Sequence, residues 1–296
     1  MDEYYKVISS ESGTAEGVRA GRDLLDLLPR RIDDSNKGTY GKLLVIAGSD
    51  GMAGAALLSA EAAYRTGCGL VYVLTPEENR VIIQSRLPEA VYLRRDEDIS
   101  EKLSRKYSAA VLGPGLGTGK EALNTVLTAL RRLKVPIVMD ADALNLTARY
   151  GEVRDAVRNY SHGIIMTPHL LEAARLLGKP LEDLPDDRKL VARLVAEKYN
   201  CVCATKSAHT VCYADGKDPF ICMEDNDGLA TGGSGDVLSG IIGGLLAQDA
   251  SDLYLTATLG VTVHSLAGKA AAEHLGKRFM LAGDIIDGMK YVLRDA

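Results

Sequence analysis

The order strand, glycine turn, helix, strand between residues 42 and 74 restricts the fold of this chain more than any other feature of its sequence. Residues 42–47 read Lys-Leu-Leu-Val-Ile-Ala, a short apolar run that is typical of a strand buried on both faces. A glycine turn, a small-residue helix (54–66) and a second apolar run (70–74) follow. This is a βαβ unit, in which the two strands are parallel and the helix covers the sheet. The sequence therefore predicts a parallel α/β fold that binds its ligands at the carboxyl ends of the strands.

The same alternation continues towards the C-terminus. The periodicity predicts further strands at 109–112, 136–139 and 163–167, and helices at 120–133, 252–274 and 282–292. From residue 201 to residue 223 the pattern changes to a period of two with an Asp215-Gly216 turn, which indicates a small antiparallel portion. We therefore expect a mostly parallel central sheet flanked by helices on both faces, with a small antiparallel hairpin portion.

The remaining segments carry weaker signals. Residues 1–36 are interpreted as an N-terminal helical arm, because apolar positions recur from Ala15 to Leu28 and Pro29 follows. Residues 94–106 mix acidic and basic side chains and are interpreted as a solvated face. Because no internal repeat or long linker occurs, residues 1–296 are predicted to form a single domain.

Composition excludes several classes of protein. The chain has 296 residues, 46% of them hydrophobic and 25% charged, as in a globular soluble protein. A formal net charge of -5 argues against nucleic acid as a main partner. No apolar run reaches about 18 residues, so no membrane span is expected. The five cysteines lack Cys-x-x-Cys spacing, and the charged first thirteen residues lack an apolar core segment, so we expect a cytoplasmic protein with reduced cysteines.

A polar, glycine-dense loop runs directly into an apolar helix between residues 226 and 248. Apolar residues recur there at helical spacing, so one stripe of the helix is expected to be buried. The first turn is predicted at Gly233, Ser234, Gly235 and Asp236. The N–H groups of a first turn have no partner within the helix and are partly positive, and glycines let a phosphate approach them closely. We therefore predict an anion cradle at Gly233, Ser234 and Gly235.

Asp236 fits two roles. A carboxylate in a first turn can simply interact favourably with the helix dipole. Next to a phosphate it can also accept the proton of a substrate hydroxyl while the cradle stabilises the transferred phosphoryl group. Because a Thr-Gly-Gly-Ser-Gly-Asp run that opens an apolar helix is a specific pattern, we interpret Asp236 as a catalytic base.

Other polar or glycine-rich segments follow predicted strands and should meet at the same edge of the sheet. The Gly113–Gly119 segment serves either close approach to a ligand or a tight turn. Asp140 and Asp142 suggest Mg²⁺ binding, or a helix cap in the case of Asp142. We favour the cap for Asp142 and a place at the edge of the site for Asp140.

Three more side chains are candidates at this edge. A lone histidine is usually structural, but His169 lies at a strand-to-helix junction. Glu172 is equally a capping-box partner and a site residue. Lys206 ends a predicted strand, where it would either bind a phosphate or remain a surface lysine.

The segment from Ala230 to Leu238, Ala-Thr-Gly-Gly-Ser-Gly-Asp-Val-Leu, resembles the signature of the ADP/ATP-dependent NAD(P)H-hydrate dehydratases, which belong to the ribokinase-like superfamily. Other segments resemble that family in the same order along the chain. They are Asn36–Lys42, Ala47–Ser49, Gly54–Ala56, Gly67–Val71, Gly113–Gly117, Asp140–Asn145, and Thr167–His169 with Glu172. The chain differs where Ser207 follows Lys206 instead of glycine, and where Leu170-Leu171 replaces Pro-Gly. The resemblance implies a ribokinase-like fold.

The resemblance also implies roles for particular residues. The residues expected to contact the hydrated dinucleotide are Ala55, Gly115, His169 and Asp236. Those expected to hold ADP or AMP are Lys206, Ser207, Ala208, His209, Thr210 and Gly235. Mg²⁺ is the implied ion, without assigned ligands, and a homotetramer is the implied assembly.

The activity implied by the resemblance is repair of nicotinamide nucleotides. Such an enzyme dehydrates hydrated NADH or NADPH, (S)-NADHX or (S)-NADPHX, back to NADH or NADPH. The bacterial type uses ADP and yields AMP and phosphate, and the eukaryotic type uses ATP. Because the sequence shows no fused epimerase domain and no targeting segment, we expect ADP. The ring hydroxyl would be phosphorylated first, and the phosphate then eliminated.

Two other functions fit parts of the sequence. A kinase for a small alcohol such as a vitamin precursor would use the same loop and the same Asp236, since fold does not determine function. The Gly113–Gly117, Asp140–Asn145 and His169 motifs favour the dehydratase. A non-catalytic nucleotide-binding protein is the third possibility, against which the intact Asp236 argues.

Overall fold

The computed structural model describes residues 5–7, 24–96, 99–223 and 227–294, the first three by their backbone alone. Its described strands form one ten-stranded sheet, in the order β1-β10-β9-β8-β7-β6-β5-β2-β3-β4. The strands are β1 Tyr5–Val7, β2 Lys42–Ile46, β3 Leu70–Thr75, β4 Val91–Arg94, β5 Ala109–Leu112, β6 Ile137–Met139, β7 Ile164–Met166, β8 Val202–Thr205, β9 Val211–Tyr213 and β10 Phe220–Cys222.

The seven strands from β4 to β8 in this order are parallel, and the pairs β8–β9, β9–β10 and β10–β1 are antiparallel. The expected mostly parallel sheet with a small antiparallel portion is therefore confirmed. Helices cover both faces. They are α1 Ala53–Arg65, α2 Arg80–Arg86, α3 Ser100–Leu103, α4 Lys120–Arg132, α5 Asp142–Arg149, α6 Gly151–Arg158, α7 Leu170–Leu177, α8 Arg188–Tyr199, α9 Ser234–Gln248, α10 Leu253–Leu275 and α11 Ala282–Leu293.

Alternation along the strands divides the interior into two cores. In β2, Leu43 and Val45 pack with apolar residues of α1, α9, α10 and α11. Leu44 and Ile46 pack on the other face with apolar residues of α4 to α8. Because both faces of a parallel strand are covered, its sequence is continuously apolar rather than alternating.

Helix α9 is more deeply buried than its sequence indicates. The prediction that one stripe is buried is wrong, because twelve of its fifteen residues are buried. A Cβ added to Gly240 would lie 2.2 Å from the carbonyl oxygen of Ser59 in α1, and one added to Gly243 would lie 2.3 Å from Cγ2 of Val111 in the sheet. Its glycines therefore let α9 lie between α1 and the sheet. This contact fixes the start of α9 relative to the strand ends.

Two sequence interpretations need correction. Residues 94–106 are not wholly solvated, since Arg95, Ile99 and Leu103 are buried. Arg95 is tolerated because it donates to the Gly48 carbonyl at 2.7 Å and pairs with Glu121 at 3.0 Å. In the N-terminal arm, residues 5–7 form a strand rather than a helix.

Most of the helix expected from Ala15 to Leu28 lies outside the described residues, although Leu24 and Leu25 are helical. In the part of the chain that the structure describes, no helix combines the length and apolar character needed to cross a bilayer.

Candidate active site

The residues that follow β6, β7 and β8 approach the start of α9 at one edge of the sheet, and the loops after β2 and β5 contact each other at the same edge. These are the carboxyl ends of parallel strands, where open α/β sheets bind ligands. Lys206, directly after β8, makes a parallel bridge to His169 after β7, and its N–H donates to the Pro168 carbonyl at 2.8 Å. Asp140 follows β6 directly. The sheet itself therefore brings these candidates together.

The start of α9 has the form expected of an anion cradle. Gly233 precedes the helix with φ at +92°, a conformation that favours glycine. The Ser234 N–H donates to the Thr231 carbonyl at 3.3 Å, whereas the N–H groups of Gly235 and Asp236 have no acceptor within the helix. His264 Nε2 lies 3.2 Å from the Ser234 hydroxyl and 3.1 Å from its carbonyl. Burial lowers the pKa of His264 to about 4, so a neutral imidazole fixes this first turn.

Asp236 occupies the first turn of α9 in a partly buried position. Burial, followed by the nearby Asp140 and Asp142, raises its pKa to about 7, against the opposite effect of Lys206. A Cβ added to the preceding Gly235 would lie 3.2 Å from Lys206 Nζ and 3.7 Å from Asp140 Oδ2. The carboxyl group of Asp236 therefore belongs to a cluster of charges and is poised to exchange a proton near neutral pH.

Lys206 is the cation of this cluster. Its Nζ donates to Asp140 Oδ1 at 2.6 Å and lies 3.9 Å from Glu172 Oε2. Burial acts to lower the pKa of Lys206, but the attraction of Asp140 and Glu172 outweighs it and raises the pKa. Asp140 is 1% exposed, so the lysine compensates a fully buried carboxylate.

His169 and Glu172 form a reciprocal cap at the start of α7. The His169 N–H donates to Glu172 Oε2 at 2.8 Å, and the Glu172 N–H donates to His169 Nδ1 at 3.2 Å. Burial and then Lys206 lower the pKa of His169, which favours the neutral imidazole. Burial raises the pKa of Glu172 to about 7. Glu172 is thus both a capping-box residue and a member of the charge cluster.

A cavity of about 870 Å³ opens beside this cluster. The sequence candidates that line it are His169, Lys206, Ser207, Ala208, Thr210, Ser234 and Gly235. His209 does not line it; its carbonyl instead accepts a hydrogen bond from the Ser207 hydroxyl at 2.7 Å. Lys277, for which no sequence motif was recognised, also lines the cavity and pairs with Asp227 at 2.6 Å.

Ala55 and Gly115 lie together, outside the lining of that cavity. A Cβ added to Gly115 would lie 2.8 Å from the Ala55 Cβ, and the Ser49 hydroxyl donates to the Gly115 carbonyl at 2.8 Å. The candidates therefore fall into two groups, one around the cavity and one at the Gly115–Ala55 contact. Gly233, Asp140 and Asp236 do not line the cavity. Asp140 is joined to the first group by its pairing with Lys206, and Asp236 by its electrostatic interaction with Lys206.

The expected cap by Asp142 is wrong. Asp142 is the first residue of α5, and the residue at the cap position, Ala141, makes no side-chain cap. Asp142 Oδ2 accepts the Gly117 N–H at 2.8 Å instead. The carboxylate is engaged by a loop 25 residues earlier in the chain, a contact that local sequence patterns do not reveal.

The described cysteines are all free thiols, four of them buried. Among the residues that the structure describes, no group of three or more His, Cys, Asp or Glu side chains could hold a metal ion. Cys203, Cys212 and Cys222 belong to the two buried cores, and Cys201 packs partly buried against one of them.

Known proteins with similar sequences and structures identify the family of this chain. A family model described as NAD(P)H-hydrate dehydratase matches residues 43–290. The bifunctional NAD(P)H-hydrate repair enzyme of Coxiella burnetii is 39% identical over 277 residues, which are 92% of this chain and 54% of that protein. The ADP-dependent (S)-NAD(P)H-hydrate dehydratase of Neisseria meningitidis serogroup B is 36% identical over 269 residues, which are 88% of this chain and 88% of that protein.

The chain spans about half the length of the first curated relatives that it matches. The crystal structure of the ADP/ATP-dependent NAD(P)H-hydrate dehydratase from Bacillus subtilis, co-crystallized with ATP/Mg²⁺, is similar with a TM-score of 0.80 and 31% identity, covering 93% of this chain and 96% of that one. Solved structures also confirm the ribokinase-like fold. With its family model matched over most of its length, this chain belongs to the NAD(P)H-hydrate dehydratase family.

Proposed function

We propose that this protein dehydrates hydrated NADH and NADPH back to NADH and NADPH with ADP as the co-substrate. The observation that carries the proposal is the partly buried carboxyl group of Asp236 in the first turn of α9, beside the Lys206–Asp140 pair and the cavity of about 870 Å³. A relative of similar length is named an ADP-dependent (S)-NAD(P)H-hydrate dehydratase, which supports ADP.

The chemistry needs a phosphoryl transfer before the elimination. Hydroxide is a poor leaving group, and a phosphate ester of the same ring hydroxyl is a good one. Asp236 accepts the hydroxyl proton as the oxygen bonds to the β-phosphorus of ADP, and the bond to the bridging oxygen breaks to release AMP. The lone pair of the ring nitrogen then expels phosphate, and loss of a proton from the adjacent ring carbon restores the double bond.

The environment of Asp236 suits the first of these steps. A general base works best when its pKa lies near the working pH, and burial with Asp140 and Asp142 brings the pKa of Asp236 to about 7. The N–H groups of Gly235 and Asp236 would stabilise charge that develops on the transferred phosphoryl group. These groups are fixed before the reaction by the contacts of Ser234 with His264.

In this proposal the adenine nucleotide occupies the cavity lined by Lys206, Ser207, Ala208, Thr210 and Gly235. Lys206 would place its charge beside the phosphates while remaining paired with Asp140. His209 would contribute through its carbonyl, which fixes Ser207. The hydrated dinucleotide would reach Asp236 from the side of Ala55, Gly115 and His169.

Magnesium is proposed only as an ion that enters with the nucleotide. The described residues offer no cluster of three metal-binding side chains, and Lys206 occupies one oxygen of Asp140. Such a set does not fit a dedicated protein site for Mg²⁺. The nucleotide phosphates and water would supply most of its ligands, as is common for this ion.

Cytoplasmic location and a homotetramer complete the proposal. Free thiols at all five cysteines favour a reducing compartment. Phe279 and Leu281, two positions apart in the chain, are exposed, and exposed apolar surface that is contiguous often marks a contact surface. Light scattering on the purified chain would test the assembly, and a monomer would refute it.

The assay that tests the activity supplies hydrated NADH with ADP, with ATP or with neither nucleotide. We expect recovery of reduced-nicotinamide absorbance with ADP, and one AMP and one phosphate for each NADH formed. Stable phosphorylation of a simple alcohol without recovery of NADH would instead indicate a small-alcohol kinase. Nucleotide binding with no turnover of any substrate would indicate a non-catalytic binding protein.

A further inference from the structure

A series of polar contacts joins the loop after β5 to helices α5 and α7, and none of its members lines the nucleotide cavity. The Gly117 N–H donates to Asp142 Oδ2 at 2.8 Å. Asn145 Nδ2 donates to Asp142 Oδ1 at 3.4 Å, and Arg175 Nη1 donates to Asn145 Oδ1 at 2.9 Å. These contacts therefore run from the loop after β5, across the start of α5, to the exposed side of α7.

The backbone beside these contacts is strained at Ala141, which lies between two aspartates whose side chains have different partners. Ala141 has φ at +48° and ψ at -114°, a conformation that is unfavourable for a non-glycine residue. Its two neighbours have different partners: Asp140 binds Lys206, and Asp142 binds Gly117. Strain of this kind persists where surrounding contacts over-determine the backbone, as they do here.

We propose that Asp142 is a positioning residue, which holds the glycine-rich loop (113–119) against Ala55 and so preforms the surface that receives the hydrated dinucleotide. The proposal rests on the proposed function for the identity of that substrate. Its geometric support is the short path from Asp142 through Gly117 to Gly115, whose Cα faces the Ala55 side chain with space for no Cβ. Asn145 and Arg175 extend the anchor to α7.

Asp142 has a second, electrostatic effect that can be separated from the first. Burial is the largest cause of the raised pKa of Asp236. The charges of Asp140 and Asp142 raise this pKa further, and the charge of Lys206 lowers it. Removing the charge of Asp142 therefore lowers the pKa of Asp236. Removing Asn145 leaves this charge in place and weakens only the anchor.

Two variants separate the two effects. Asn145→Ala removes the hydrogen bond that Asn145 donates to Asp142, the carboxylate that accepts the Gly117 N–H. The KM for hydrated NADPH should therefore rise about tenfold. The KM for ADP and the pH at which kcat rises should stay as in the wild type. Asp142→Asn retains an oxygen for the Gly117 N–H and should shift the rise of kcat to lower pH. Unchanged kinetics in both variants would overturn the proposal.

Amide hydrogen exchange tests the anchor without turnover. In the ligand-free protein, exchange of residues 113–119 should accelerate in Asp142→Ala but not in Asp155→Ala, a control at an exposed aspartate of α6. Equal exchange in both variants, or acceleration spread over the whole chain, would overturn the positioning role. If the wild type failed to dehydrate the substrate, the proposed function would fail, and this exchange comparison would still decide the role of Asp142.

Discussion

The carboxyl group of Asp236 has a pKa near 7 because it is partly buried beside two other aspartates. A base must be deprotonated to act, so kcat should fall about tenfold for each pH unit below this pKa. The pH profile of kcat checks the expectation, with the dissociation constant of ADP measured over the same range as a control. A rate that stays flat down to pH 5 would show that Asp236 titrates normally.

Glu172 supplies the matched control for that profile. Burial also raises its pKa to about 7, so it is the other described carboxyl group near the site that titrates in this range. Glu172→Gln retains an oxygen for the His169 N–H and should leave the rise of kcat at the same pH. Loss of the rise in this variant would assign it to Glu172 and not to Asp236.

The pairing of Lys206 with Asp140 predicts a stability effect. Lys206→Met leaves the buried carboxylate uncompensated, which should lower the free energy of unfolding by about 3–5 kcal/mol. Adding Asp140→Asn should restore part of that loss, because the charge is gone. Urea unfolding of the wild type, both single variants and the double variant measures the coupling. A double variant no more stable than Lys206→Met would contradict it.

The sequence predicted which strand ends carry the candidate residues but did not identify all the partners of those residues. Asp140, His169 and Lys206 were each expected at one edge of the sheet, because parallel strands bring their carboxyl ends together. The contacts of Asp142 with Gly117 and of Arg175 with Asn145 span 25 and 30 residues, so no local pattern contains them. Arg175 follows Glu172 by three positions on α7, a spacing that could have placed it on the same face.

Helix α9 is the element that fixes the site, and its glycines make its packing testable. A Cβ at Gly240 would lie 2.2 Å from a backbone oxygen of α1, so Gly240→Ala should cost about 1–3 kcal/mol of stability or more. Gly283→Ala in α11 is the control. That position is exposed with no atom within 4 Å of an added Cβ, so the change should be neutral or stabilising. Equal stability changes in the two variants would contradict the packing described.

The bounds of helices and strands with a clear pattern of apolar residues were predicted closely. Features that depend on tertiary contacts were not predicted. The apolar run at residues 42–47 became β2 with a shift of one residue at its end. The strand Val91–Arg94 was missed, because it is a half-exposed edge strand without a clear alternation. The burial of α9 on all sides was missed because glycines pack closely without adding an apolar periodicity.

For the whole molecule, nucleotide binding should appear as added stability. A ligand at one hundred times its dissociation constant stabilises the folded state by about 2.7 kcal/mol, so ADP should raise Tm by several degrees. Gly235→Val should abolish this rise, because a Cβ there lies 3.2 Å from Lys206 Nζ in the cavity wall. A rise in both proteins would place ADP elsewhere.

Asp236 is the group proposed to accept the hydroxyl proton, and every later step of the proposed mechanism follows from that transfer. The direct measurement compares wild type and Asp236→Asn for kcat with hydrated NADH and for the dissociation constant of ADP. We predict a kcat lower by about 10²–10⁴-fold with ADP affinity nearly unchanged. A variant that retains the wild-type kcat would contradict the assignment of the base and the mechanism built on it.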